Sequence, residues 1–325
     1  MESPTRELTA MTMETFADLF CGIGGFHYAA ANLGLRCVFA CDIDEAACRQ
    51  YEENFGLEPE RDIYDVAAAD IPDHDLLFAG FPCQPFSIIG DRKGLNDSRG
   101  LLAFEIVRVL KAKQPAAFVL ENVRQFATIG KGAVIRSLLR ELCESGYNCD
   151  WRILNALDYG LPQKRERTII VGLLEQETMD QFEWPVSARE YKPLSEILED
   201  DPDARFMASD YIRDKRKAAH TPQISPSIWH ENKGGNISSH PYSCALRAGA
   251  SYNYLLVNGE RRLTSREMLR LQGFPDSFDI IGNDSQIRKQ VGNAVPVPMV
   301  QAVINEVLNA NKSAWRVPKA RTVSA

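Results

Sequence analysis

The sequence predicts an α/β chain built on a mostly parallel sheet with helices on both faces. Three observations carry this. Short apolar runs alternate with segments of helical periodicity between residues 15 and 174. A glycine-rich turn follows the first run, and acidic or thiol side chains recur just after later ones. Strands that alternate with helices imply βαβ units and hence parallel pairing. The elements follow in order. "TFADLF" (15–20) reads as a short buried strand, and "FHYAAANLG" as a small-residue helix ending at Gly34. "RCVFAC" (36–41) is a strand and "DEAACRQYEENF" (44–55) a helix. "HDLLFAG" (74–80) is a strand that runs into a proline-flanked turn. "LLAFEIVRVLKAKQP" (101–115) has helical spacing and stops at proline, which cannot continue a helix. "AAFVLENV" (116–123) is a strand, 133–145 a helix, and "NCDWRILNA" (148–156) and "RTIIVGLL" (167–174) are strands.

The pattern changes after about Pro185. Residues 186–260 are polar and rich in Ser, Asn, Gly and Pro, which predicts a smaller, loop-rich second unit. "TSREMLRLQGF" (264–274) returns to helix, opened by a Thr264/Glu267 capping box. A last helix over 298–311 has apolar residues at helical spacing and is expected to pack back on the first unit.

The 325 residues, 45% of them apolar, suffice for a full core and two units. No apolar run approaches the ~18 residues of a membrane span. The first twenty residues lack the basic start and apolar middle of a secretion signal, so an intracellular, cytoplasmic setting is expected. Eight cysteines without paired ligand spacing predict free thiols and no metal site. Net charge is −7, yet residues 205–270 hold eleven Lys/Arg against five Asp/Glu, an asymmetry that marks a face for a polyanion.

"DLFCGIGGF" joins the first strand to the first helix, at the sheet edge where α/β proteins bind ligands. Gly22 and Gly24 match a dinucleotide fingerprint, but His27 stands at its third glycine, which weakens a nicotinamide reading. Asp42, about 20 residues on, suits a ribose, and Asp62, after a further predicted strand, suits a base amine. Together they imply an adenosine-containing ligand. Cys83 follows the strand 74–80 between Pro82 and Pro85, which restrict its turn. A positioned thiolate is a strong nucleophile. Glu121 ends the next strand, where a crevice raises a carboxyl's pKa and lets it donate a proton. Arg165 and Arg167 stand at the mouth of a later strand and can orient a carbonyl or stabilise a thiolate.

"FADLFCGIGGF", "GFPCQPFS", "ENV", "QKRER", "RRLTSREMLRLQGFPDSF" and "QVGNAVPVP" occur in this order. Together they resemble the cytosine-C5 DNA methyltransferase family of bacterial restriction–modification systems, over about 16–174 and 261–300. The resemblance implies a Rossmann-like, S-adenosylmethionine-dependent catalytic domain over 1–188, completed by a C-terminal helix at about 290–325. It implies a target-recognition domain and hinge over 189–289. It further implies that Cys83 adds to C6 of a flipped-out cytosine while Glu121 protonates N3, and that C5 then takes the methyl group. Arg167 would contact the base carbonyl and Arg165 would help hold the site. For the cofactor it implies Phe20 on the adenine face, Asp42 on the ribose and Asp62 on the adenine amine. Gly22, Gly24 and Pro82 would lie near the methionine end, with Asn293 close by. The chain departs from the pattern in having Asp42 where Glu is frequent, and Ile43 where Trp often packs on adenine. A related tRNA cytosine enzyme shares the Cys, Glu and Arg set; the basic insert favours duplex DNA. The partner expected is double-stranded DNA with a short recognition sequence, bound by a monomer paired with a restriction endonuclease. Arg247, Asn236 and Ser238 are candidates for reading bases. Lys233, Arg261 and Arg262 are candidates for phosphates. Gln84 and Ser87 open a lid at 84–100 expected to close over DNA.

Overall fold

The computed structural model describes residues 12–82, 102–188 and 190–314. Cys83, Gln84, Ser87 and the expected lid lie outside them. The central sheet is formed by β1 (Thr15–Leu19), β2 (Arg36–Cys41), β3 (Leu76–Gly80), β4 (Ala117–Val123), β5 (Asn148–Asn155) and, after the two-residue β6 (Gln163–Lys164), β7 (Glu166–Leu173). Its order is β2-β1-β3-β4-β7-β5. β1 to β4 pair in parallel, whereas β7 is antiparallel to both β4 and β5. Only residues 156–165 join β5 to β7. A parallel return needs a crossover of a dozen or more residues, so this link is too short and the strand reverses.

The first four helices follow the predicted order, α1 (Gly25–Ala31), α2 (Glu45–Phe55), α3 (Leu102–Lys113) and α4 (Ala133–Glu144), and an unpredicted single turn, α5 (Gln176–Met179), comes after them. Side chains alternate across the sheet as a strand's period of two requires. Phe16, Phe78 and Val119 pack on one face with α1; Ala17, Leu77 and Leu120 pack on the other with α3 and α4. The segment before Asp62 is not the strand expected: it makes one bridge, Glu60 to Cys41, and then turns.

Beyond Pro185 come α6 (Asp210–Ala219), β8 (Ile228–Glu231), β9 (Ile237–His240), β10 (Ser243–Cys244), β11 (Leu255–Val257), α7 (Ser265–Gln272), α8 (Asp284–Asn293) and α9 (Val297–Ala314). β11, β8 and β9 make a small antiparallel sheet, and β10 pairs in parallel with β6. The Thr264/Glu267 capping box forms. α9 extends past its expected bounds and packs along α1. The loop-rich stretch is not separately cored: Ile228, Leu246, Leu255 and Val257 belong to the same apolar cluster as Phe16 and Val300. No helix among the described residues is long and apolar enough to cross a membrane.

Candidate active site

A cavity of about 730 Å³ opens at the carboxyl edge of the parallel strands. β1, β2 and β3 each deliver chain into it, because in a parallel sheet all such ends point one way. β7 adds its amino end to the same edge because it runs backwards: Arg167 lies opposite Val123, just past Glu121.

The glycine loop closes one side. Phe20 and Gly22 have left-handed backbone, with φ of 56° each, and both line the cavity. That conformation is uncommon for a residue with a side chain and concentrates at functional sites. At Gly24 a Cβ would stand 2.1 Å from the Phe55 ring, so only glycine lets the loop pack there. Asp42 staples the loop from β2. One carboxylate oxygen accepts Gly22 N–H and the other Asp44 N–H, each at 2.8 Å. Burial nonetheless pushes its carboxyl up, against those two bonds. Asp44 caps α2 by accepting from Ala46 and Ala47 and pairs with Lys289 Nζ at 2.7 Å. Lys289 also lines the cavity.

At the far end Glu121 is buried on β4, and Arg167 Nε stands 2.5 Å from its Oε1. The contact is a buried ion pair. Burial pushes the Glu121 carboxyl up, and Arg167 and Arg165 pull against it. Asn122 donates to Phe81 O at 3.0 Å, tying the end of β3 to β4 immediately before Pro82. Phe20, Gly22, Asp42, Ile43, Asp62, Pro82, Glu121, Arg167 and Asn293 thus share one cavity.

A family model described as C-5 cytosine-specific DNA methylase matches residues 14–309. The chain belongs to the C-5 cytosine-specific DNA methylase family. The methylase is 52% identical over 288 residues to the type II methyltransferase M.NgoBI of Neisseria gonorrhoeae, spanning 88% of this chain and 90% of that one. It is 49% identical over 303 residues to the type II methyltransferase M.HaeII of Haemophilus aegyptius, spanning 92% and 94%. The S. pombe Dnmt2 methyltransferase structure, at 24% identity, aligns with a TM-score of 0.70 over 91% of this chain and 98% of that one, which shows a shared fold. The enzyme is a DNA (cytosine-5) methyltransferase with the Rossmann-like fold of S-adenosylmethionine-dependent methyltransferases.

Several site residues stand elsewhere than the sequence placed them. Gly24 supports the methylase's loop from behind and does not line the cavity. Arg165 is fully buried and does not reach the cavity either. Its guanidinium donates to Leu246 O (2.7 Å), Gly292 O (2.9 Å) and Ala294 O (2.7 Å). It therefore clamps the sheet to α8 and to the chain after β10. Arg165→Met takes the side-chain donor from the buried Leu246 and Gly292 carbonyls, at roughly 1–3 kcal/mol each, and leaves Ala294 O with only Gln272 Nε2 at 3.3 Å. The expected outcome is a lowered urea midpoint, with about 3 kcal/mol or more lost in denaturation of the full chain. Arg261 is likewise committed inside the fold, paired with the fully buried Glu267 at 2.7 and 2.8 Å, and is not placed to hold phosphate. Lys233 and Asn236 are exposed in the β8–β9 turn, and Ser238 Oγ bonds the His240 ring at 3.0 Å. Arg247 and Arg262 line a second cavity.

Sequence reasoning missed Lys289, Gln290, Arg61 and Tyr64, all on the wall of the large cavity. Only Lys289 and Gln290 carried a signal, being next to "VGNAVPVP". It also missed Asp18, fully buried behind the loop with neither carboxylate oxygen hydrogen-bonded among the described residues. Burial and the Asp42 charge push Asp18 well above the usual carboxylate range. No group of three or more His, Cys, Asp or Glu arranged for a metal occurs among the described residues.

Proposed function

We propose that this methyltransferase flips a cytosine out of duplex DNA at a short sequence and methylates its C5 through a covalent Cys83–C6 adduct. The observation that carries this is the single cavity shared by the glycine loop, Asp42, Asp62 and the Glu121–Arg167 pair. The residues present fit S-adenosylmethionine. Asp42 keeps lone pairs for a ribose beyond the two N–H groups it accepts, and Asp62 Oδ1 takes Tyr64 N–H at 3.0 Å, leaving Oδ2 for an amine. Phe20, Ile43 and Ile63 supply apolar wall for a flat base. Gly22, Pro82 and Asn293 line the same space and would face the methionine end. When bound there, the cofactor supplies an electrophilic methyl group. Asp42→Ala removes the ribose acceptor together with the loop staple. A charged hydrogen bond is worth roughly 1.5–3 kcal/mol, so the cofactor Kd should rise about 10- to 150-fold in calorimetric titration.

The chain's own residues do the rest. The target carbon is hidden in the base stack, so the cytosine leaves the duplex to enter the cavity. Cys83 sulfur adds to C6 while Glu121 gives a proton to N3, which turns C5 into an enamine-like nucleophile. After C5 is methylated it loses its proton to solvent, the sulfur leaves C6 as thiolate, N3 returns its proton to Glu121, and the ring is aromatic again. Arg167, fixed by its pair with Glu121, holds the base carbonyl. The type II names of the relatives support a role in protecting DNA from a cognate endonuclease. The small sheet β11-β8-β9 and its turns present the recognition residues as part of the unit over 189–289.

The test supplies tritiated cofactor with duplex DNA and, separately, with tRNA. Bisulfite sequencing of DNA from an expressing host then locates the product. Label in DNA at C5 of cytosines in one short sequence is the expected result. Label confined to tRNA, or absent from cytosine, overturns the reading.

A further inference from the structure

A second cavity, of about 260 Å³, is lined by residues between Arg205 and Arg288. The wall between the two cavities is thin. Arg165 holds Leu246 O from the catalytic side, and Leu246 lines the second cavity. Gly292, on the wall of the first cavity, packs so tightly on Arg247 and Ala248 that a Cβ would stand 2.3 Å from Ala248 N. Arg247 lines the second.

The floor of this cavity is apolar: Leu246, Leu255, Leu263 and Met268. Its rim brings together four guanidinium groups from distant parts of the chain, those of Arg205, Arg247, Arg262 and Arg288. Asp284 is the one acidic residue in the lining, and it pairs with Arg205 at 3.2 Å. Arg247, Arg262 and Arg288 make no ion pair among the described residues. Arg288 and Arg247 instead lie over tyrosine rings, 4.0 Å from the centroid of Tyr252 and 4.7 Å from that of Tyr254. Arg262 also donates to Arg205 O and Phe206 O, and Arg288 to Ala250 O at 2.6 Å, but none of the three has an acidic partner among the described residues. Three such cations around an apolar, aromatic floor call for an anion that carries a flat apolar group. A nucleoside phosphate has that chemistry: bases stack on aromatic rings and on guanidinium planes, and phosphates take arginine. The volume is below the ~300 Å³ at which pockets for larger ligands begin, which suits a single nucleotide.

We propose that this cavity holds one nucleotide of the substrate duplex other than the target cytosine, its base against Tyr252 and the apolar floor and its phosphate against the arginines. The proposal rests on the reading of the protein as an enzyme of duplex DNA. It assigns Arg205, Tyr252 and Arg288 to the DNA path and gives Arg247 and Arg262 a shared partner.

The test is an abasic walk. A duplex that the wild-type enzyme methylates is remade with single abasic positions along both strands, and Kd is measured by fluorescence anisotropy for wild type, Tyr252→Ala, Tyr252→Phe and Arg288→Ala. At one position outside the target cytosine, loss of the base should weaken wild-type and Tyr252→Phe binding about tenfold. Tyr252→Ala and Arg288→Ala should not register that loss. Arg288→Ala should also lower the slope of log K against log salt by about one. Cofactor titration and thermal midpoints of the variants identify any that fail to fold, and Tyr252→Phe keeps the comparison decisive. The same abasic profile in all four proteins overturns the proposal. So does a free deoxynucleoside monophosphate that raises the wild-type midpoint but not that of Tyr252→Ala, since the site would then serve free nucleotides. Failure of the underlying reading looks different: wild type transfers no methyl group to any duplex, and the proposal falls with it.

Discussion

Replacing Cys83 by alanine should abolish methyl transfer, lowering kcat by at least about 10⁴-fold, the scale seen when a covalent nucleophile is removed. Cytosine C5 does not attack a methyl donor until something adds at C6, and no described thiol lines the cavity close to Glu121. Cys21 and Cys41 reach the wall at the glycine-loop end, and burial pushes Cys41 up to about 12 and Cys21 well above its ordinary value, so neither supplies thiolate near neutral pH. Phe81 is buried and packed edge-on against Phe126 at 5.4 Å, its carbonyl is held by Asn122, and Pro82 already lines the cavity. Those contacts fix Pro82, the last described residue before Cys83, at the cavity wall. The check is twofold: single-turnover methylation, and trapping on a duplex carrying 5-fluorocytosine, which cannot lose its C5 substituent as a proton. Wild type should form a denaturant-resistant adduct mapped to Cys83, and Cys83→Ala none. Turnover of the alanine variant near the wild-type rate would end the covalent mechanism.

Glu121→Gln should lower kcat by about 10²- to 10⁴-fold, the usual share of a positioned general acid. Cofactor Kd should change little. Glutamine keeps the shape but cannot pass a proton to N3. The pH profile gives a second readout. Burial raises the Glu121 carboxyl above its ordinary range. The working form is the protonated acid, or a carboxylate sharing its proton with the base. The wild-type rate should therefore fall as pH rises through that raised pKa, and the variant should lack this limb. The substitution also leaves Arg167 without its charge partner at a site only 11% exposed. Removing one member of a buried pair costs roughly 3–5 kcal/mol, so rates must be compared below the variant's melting midpoint. A Glu121→Gln enzyme with wild-type kcat and an unchanged alkaline limb would remove Glu121 from the chemistry.

Much of the site was legible because parallel strands deposit their carboxyl ends along one edge. Reading the ends of the apolar runs therefore found Asp42 and Glu121 without coordinates, and the motif order pointed to the family, whose resemblance added Phe20 and Pro82. What was not legible depended on partners far along the chain. "QKRER" offers two arginines two positions apart, the same side of an extended strand, and nothing local separates them. One meets carbonyls 81 and 127 residues away and becomes a clamp; the other meets Glu121, 46 residues back. "ERR" poses the same problem, and there Glu267 takes Arg261 while Arg262 is left on the rim of a cavity.

By itself the sequence determined the alternation of strands and helices, the glycine loop, the order of the thiol, acid and arginine, and with them the family and its chemistry. Those are set by short-range periodicity, turn sterics and residue identity, which survive in one dimension. Only the tertiary structure decided that β7 runs backwards, that α9 returns to α1, and that four scattered arginines surround one cavity. A charge acquires its role from what desolvates and compensates it, and those groups are brought near by packing rather than by neighbouring positions in the chain.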